Sequence, residues 1–156
     1  MHLTSAAFGD GKPIPTKYAR AGVVGGKNVS LPVSWLDVPS ETKSLALSIV
    51  DIHPIANNWI HWLILNIPAD LGGLAEGSSC HEMPPGVKEL YNSFGELGYG
   101  GPQPPKGSGV HQYVAALSAL DVAQLDLPLN STLAAYLKAI DGKIIASARL
   151  IGTYER

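Results

Sequence analysis

The chain has 156 residues, of which 15% are charged and 46% hydrophobic, with a formal net charge of −2 at neutral pH. That length bounds it to one domain of ordinary size, expected over residues 1–156, with a single sizeable core. Its few, scattered Lys and Arg exclude the footprint of a nucleic-acid partner, and no apolar run approaches the roughly 18 residues of a membrane span.

The opening segment, MHLTSAAFGDGKPIP, has neither a basic start nor an apolar stretch, so no signal peptide is read there. The one cysteine, Cys80, has no intramolecular disulfide partner, and the default compartment is cytoplasmic. NVSLPVSW (28–35) places Leu31, Val33 and Trp35 on one face, the pattern of a half-buried strand. SLALSIVD (44–51) and HWLILNI (61–67) are nearly continuous apolar runs, as expected of strands at the centre of a sandwich. A short helix around 87–90 is weakly signalled. QYVAALSAL (112–120) and KIIASARLIGTY (143–154) add two strands. Between them Leu133, Leu137 and Ile140 have helical spacing, with Asn130 or Ser131 as cap and Gly142 at the end. Many short strands with one late helix predict an all-β fold, a β-sandwich with a small peripheral C-terminal helix.

The most informative stretch is GYGGPQPPKGSGVHQY (98–113), with five glycines and three prolines in sixteen residues. Glycine allows close approach to the main chain and proline gives the loop shape. The loop delivers His111 and Tyr113 to the start of a strand, on the same face. Asp51 and His53 stand two apart at the end of one buried strand, and Trp59 and His61 at the start of the next. If these strand ends converge, they form a pocket with a carboxylate, imidazoles, a phenol and an indole, satisfied mutually or by a ligand. Taken singly, each histidine is equally readable as a satisfied strand-end residue. Trp35 and Trp62 read as core, His2 and His81 as surface or loop.

Three chemistries could use such a cluster. Asp51, His53, His61 and His111 are ligand types for zinc, but no HExxH-like spacing supports a metal site, and no cofactor is expected. Ser108 lies near His111 but lacks a strained elbow and an evident orienting acid, and Cys80 and His81 point apart on an extended chain. Binding a small anion is simpler, with loop N–H groups, imidazoles and a phenol as donors. Protonated imidazoles would favour such an anion, so binding is expected to weaken through the histidine range.

On these motifs the whole chain resembles the phosphatidylethanolamine-binding protein family, also called Raf kinase inhibitor protein-like, and its bacterial and archaeal branch in particular. AFGDGKPIPTKYA (7–19) is similar to the family opening, and GKNVSLPVSW (26–35) to its first strand motif. WIHWLILNIP (59–68) resembles the first signature, 98–113 the second, and KAIDGKIIASARLIGTYER (138–156) the ending. The resemblance implies Greek-key connections and an anion pocket of Asp51, Trp59, His61, Pro104, Pro105, His111 and Tyr113, to which His53 is added as a replaced second acid. The family's Asp-Pro-Asp-Ala-Pro reads here Asp51-Ile52-His53-Pro54-Ile55, its Arg between His and Tyr is Gln112, and Gln103 stands where the branch often has Cys. Loss of an acid weakens the case for an ammonium-bearing ligand and leaves one for anions in general. The implied function is non-enzymatic binding of a small anion or phosphorylated headgroup, regulatory through a protein partner. The alternative is inhibition of a serine protease, or less readily a kinase pathway, by a surface loop. A homodimer is allowed.

Overall fold

The structure, a computed structural model, describes Met1–Arg156. Nine strands and one α-helix follow one another: β1 His2–Thr4, β2 Lys12–Pro13, β3 Val33–Leu36, β4 Ser44–Asp51, β5 Trp59–Pro68, β6 Gly73–Leu74, β7 Lys88–Glu89, β8 His111–Leu120, α1 Leu133–Ile140 and β9 Ile144–Tyr154. They form a three-stranded sheet, β1-β3-β6, and a six-stranded sheet, β2-β9-β8-β4-β5-β7. Within the larger sheet β8-β4-β5-β7 is antiparallel throughout, and β8 returns by a long connection to lie beside β4. That order is a Greek key. Only β2, parallel to β9, breaks the antiparallel pattern.

The continuous apolar runs of β4 and β5 follow from burial on both faces. Leu45, Leu47, Ile49, Trp62, Ile64 and Ile67 point into the main core between the sheets, with Val33 and Trp35 from β3. Ala46, Leu63 and Leu65 point the other way, into a smaller core closed by Tyr136 and Ile140 of α1. A strand with no solvent face has no reason to alternate. Trp35 and Trp62 are both core residues, while His2 and His81 are exposed.

The structure corrects three local expectations. Residues 87–90 form no helix; Lys88 and Glu89 are strand β7, paired with Leu65 and Ile64. The buried Glu89 carboxylate there accepts from Trp62 Nε1 at 2.7 Å, Ser79 Oγ at 2.6 Å and the Cys80 amide at 2.8 Å. Helix α1 is capped by Thr132, whose Oγ1 accepts from the Ala135 amide, rather than by Asn130 or Ser131. It buries Tyr136 and Ile140, while Leu137 is 49% exposed. Gly142 does occupy the left-handed region beyond the helix, at φ 70°.

Candidate functional site

Register brings the three polar strand ends together. Asp51 lies opposite Trp59 on β5 and opposite Tyr113 on β8, so the ends of β4, β5 and β8 share one edge of the sandwich. Strand β5 is bulged here: Ile49 pairs with Trp62 and Val50 with Ile60, leaving His61 as the extra residue. A bulge re-aims a side chain against the alternation of its strand. His61, edge-on to Tyr113 at 4.9 Å, and its neighbour Trp62, edge-on to Tyr99 at 5.5 Å, therefore face the same side.

These residues wall a cleft of about 350 Å³. Asp51, Trp59, His61, Pro104, Pro105, His111 and Tyr113 all line it, as the sequence suggests. Ile55, Ala56, Phe94 and Gln103 line it too and carry no motif that marks them in the sequence. His53 does not line it, which corrects the expectation for that residue. The Asp51 carboxylate accepts from the His53 amide at 2.9 Å, turning the chain, and the His53 ring stacks on His111 with centroids 3.9 Å apart. The ring faces a second, shallow depression with Ile52, Pro54, Val110 and Gln112.

The hydrogen bonds decide what each imidazole can offer. His61 Nδ1 donates to the Gly100 carbonyl at 2.5 Å. A carbonyl only accepts, so this fixes the proton on Nδ1 and leaves a lone pair on Nε2. Burial pushes the His61 pKa down to about 4, against the opposing pull of the Gly100 carbonyl and the Asp51 charge. His111 Nδ1 donates to Asp51 Oδ2 at 2.6 Å, and its Nε2 is 2.9 Å from Ser108 Oγ. Three of the four ring nitrogens of His61 and His111 are thus engaged within the chain. The expectation that both imidazoles present charged donors to an anion is not what the geometry provides.

Asp51, His111 and Ser108 form a carboxylate–imidazole–hydroxyl chain, so Ser108 does have an orienting acid, contrary to the sequence reading. Its hydroxyl is also 2.7 Å from the Pro105 carbonyl and is not on the cleft wall. The Tyr113 hydroxyl is buried with no close hydrogen-bond partner, and burial, then the Asp51 charge and a longer contact with that carboxylate, push its pKa up, so it stays a donor near neutrality. Phe94 closes one side, edge-on to Trp59 and His61, with the Arg20 guanidinium 4.1 Å above its ring and paired to Glu96. No three His, Cys, Asp or Glu side chains stand together as a metal-ligand set. No helix is long and apolar enough to cross a membrane.

Comparison with known proteins places this architecture. A UPF0098 protein of Methanothermobacter thermautotrophicus is 43% identical over 157 residues, covering 100% of this chain and 99% of that protein. The UPF0098 protein YbhB of Escherichia coli is 37% identical over 131 residues, covering 81% and 82%. Among solved structures, YbcL of Escherichia coli, described as a member of the mammalian PEBP family, superposes with a TM-score of 0.91 at 31% identity, covering 99% and 98%. The phosphatidylethanolamine-binding protein homologue CT736 of Chlamydia trachomatis gives 0.84 at 39% identity, covering 99% and 97%. The sequence pattern of one family matches residues 4–155, nearly the whole chain, and by that match the protein belongs to the phosphatidylethanolamine-binding protein family.

Proposed function

We propose that this is a non-enzymatic binding protein whose cleft takes a small anion or phosphorylated headgroup, with a regulatory role exerted through a protein partner. The observation that carries the reading is the buried, unpartnered Tyr113 hydroxyl on the cleft wall, beside His61 and the Asp51–His111 pair. A buried polar group left unpaired costs about 1–3 kcal/mol, which a ligand oxygen would offset. The names of the relatives supply the class of headgroup. Apolar Trp59, Phe94, Pro104 and Pro105 suit whatever substituent the anion carries. Exposed Ile55 at the cleft, and exposed Ile52 and Val110 at the second depression, offer contact to a partner. A cytosolic setting agrees with one unpaired thiol, although a Mycobacterium tuberculosis relative, LppC, is named as a lipoprotein.

The absence of turnover is part of the proposal, supported by the placement of Ser108 off the cleft wall with its hydroxyl directed to Pro105. Calorimetric titration with inorganic phosphate should show saturable binding to the wild type. Tyr113→Phe, which removes the hydroxyl that carries the reading, should weaken it by about tenfold or more, the scale of a hydrogen bond to a charged group. Unchanged affinity in that variant would remove the cleft as the site. Ester and phosphate-ester substrates should yield no product above background, and hydrolysis that disappears in Ser108→Ala would overturn the binding-only reading.

A further inference from the structure

We infer that Ser108 is an acyl acceptor: its hydroxyl takes an acyl group from a small donor with a good leaving group, a thioester or an acyl phosphate, once per chain, and keeps it as an ester. This goes beyond the binding reading and is compatible with it, since a retained acyl group is not turnover. The first support is the chain of Asp51, His111 and Ser108. His111 Nδ1 donates to Asp51 Oδ2 at 2.6 Å, which in the neutral ring turns the lone pair of Nε2 toward Ser108 Oγ at 2.9 Å. The Ser108 hydroxyl has one proton and two acceptors, this nitrogen and the Pro105 carbonyl at 2.7 Å. Rotation about the side-chain bond carries the proton from one to the other. On the imidazole side it meets a base whose positive charge Asp51 would stabilise.

The backbone supplies the second support. Gly107 and Gly109, on either side of Ser108, both lie in the left-handed region, at φ 75° and 86°, although a Cβ on either would meet nothing within 4 Å. Conformation rather than space calls for glycine at both, and the turn presents the one side chain between them. The Gly109 amide donates to no acceptor in the chain. In a nucleophile elbow the amide after the serine is a donor to the oxyanion. In the transfer Ser108 Oγ bonds to the acyl carbon and its proton passes to His111 Nε2. The bond from that carbon to sulfur or to phosphate oxygen breaks, and its electron pair leaves with the thiolate or phosphate. Ser108 lines neither the cleft nor the shallow depression beside it, so nothing there seats a bulky substrate, and the donor has to be small and already activated. Retention follows from burial. His111 is 1% exposed and its acceptor nitrogen is turned to Ser108, so water has little access to the base once that oxygen carries an acyl group.

Incubation of the full chain with acetyl phosphate, and separately with an acetyl thioester, followed by peptide mapping with tandem mass spectrometry, tests this. Ser108 should gain an acetyl group well ahead of the exposed serines Ser40 and Ser147, and should keep it after the donor is removed. The donor that labels it faster identifies the source of the group. His111→Gln should slow the labelling of Ser108 by about a hundredfold or more, the scale of a lost general base. In urea, where Ser108 and His111 are no longer held together, the lead of Ser108 over Ser40 should vanish. Labelling of Ser108 no faster than that of Ser40 in the folded wild type would overturn the inference. An unchanged rate in a folded His111→Gln variant, or a lead that survives in urea, would do the same, because the imidazole would then not be the activating group. Steady release of acetate that depends on Ser108 would overturn retention, and with it both the inference and the binding-only reading.

Discussion

The His61 imidazole is 2% exposed, with one nitrogen on a backbone carbonyl and the other toward the cleft, and burial holds its pKa at about 4 against an ordinary 6.5. The sign of the consequence is fixed. Between pH about 6.5 and 4 the unfolded chain takes up a proton at this residue and the folded one does not, so protonation favours unfolding. Stability from this group is therefore fully present above pH about 6.5 and is lost as the pH falls toward 4. A displacement of this size corresponds to something on the order of 3 kcal/mol. Urea midpoints measured across that window for the wild type and His61→Gln should diverge, the variant falling less steeply. Parallel curves would show that His61 is protonated in the folded state. Asp51 works by a different route. It holds one imidazole through Nδ1 and turns the chain at His53 through a backbone amide, so it positions the wall rather than facing a ligand alone.

The glycine-rich loop shows how far a sequence pattern reaches. Glycine there suggests room for a ligand against the main chain, but Gly100 and Gly101 make room for the protein itself. A Cβ on Gly101 would stand 2.0 Å from the Tyr18 carbonyl, and one on Gly100 2.7 Å from the Phe94 ring. Gly100 also exchanges hydrogen bonds with His61, its amide to the His61 carbonyl at 2.8 Å and its carbonyl from the ring. Gly107, by contrast, has open space around it and is fixed by its φ of 75°. Gly101→Ala should cost toward the upper end of the 1–3 kcal/mol of an overpacked site or beyond it, since backbone cannot step aside. Gly107→Ala should cost about 1–2 kcal/mol for the left-handed conformation. Thermal unfolding ranks the two, and phosphate titration should show loss of affinity only for Gly101→Ala. An equal loss of stability would mean the loop relaxes around the new methyl.

The long strands were legible because β4, β5, β8 and β9 are runs of eight residues or more with apolar content to read. Strands β1, β2, β6 and β7 have two or three residues each, too few for any period, and exist because a neighbouring strand offers pairing. Asn130, Ser131 and Thr132 are successive cap candidates, and which one caps depends on where the helix must turn Tyr136 and Ile140 inward. Of the eight residues named from the sequence, seven line the cleft; Asp51, Trp59, His61, His111 and Tyr113 were legible because strand ends carry them, whereas Pro104 and Pro105 lie in the loop before β8 and came only from the family resemblance. His53 could not be placed, since the Asp51-to-amide turn that swings its ring behind His111 is tertiary detail. Neither the bulge at His61 nor Phe94 in the wall has any local signature.

The sandwich as a whole keeps one polar group unmet where the cleft needs it. Tyr113 belongs to the main core and packs edge-on against His61, yet its hydroxyl finds no close partner in the chain. In the unfolded chain water pairs that hydroxyl, so folding without a ligand carries its desolvation, about 1–3 kcal/mol. Sites of this kind exchange stability for function. Tyr113→Phe keeps the ring and its edge contact with His61 and removes only the oxygen. In phosphate-free buffer its urea midpoint should therefore rise, by the equivalent of about 1 kcal/mol or more. Ligand binding stabilises the folded state according to its concentration relative to Kd, so saturating phosphate should stabilise the wild type and do little for the variant. The two midpoints should converge or cross as phosphate is added. A variant less stable than the wild type in ligand-free buffer would show that the hydroxyl is already satisfied in the folded protein, and the argument for a ligand oxygen at Tyr113 would fall with it.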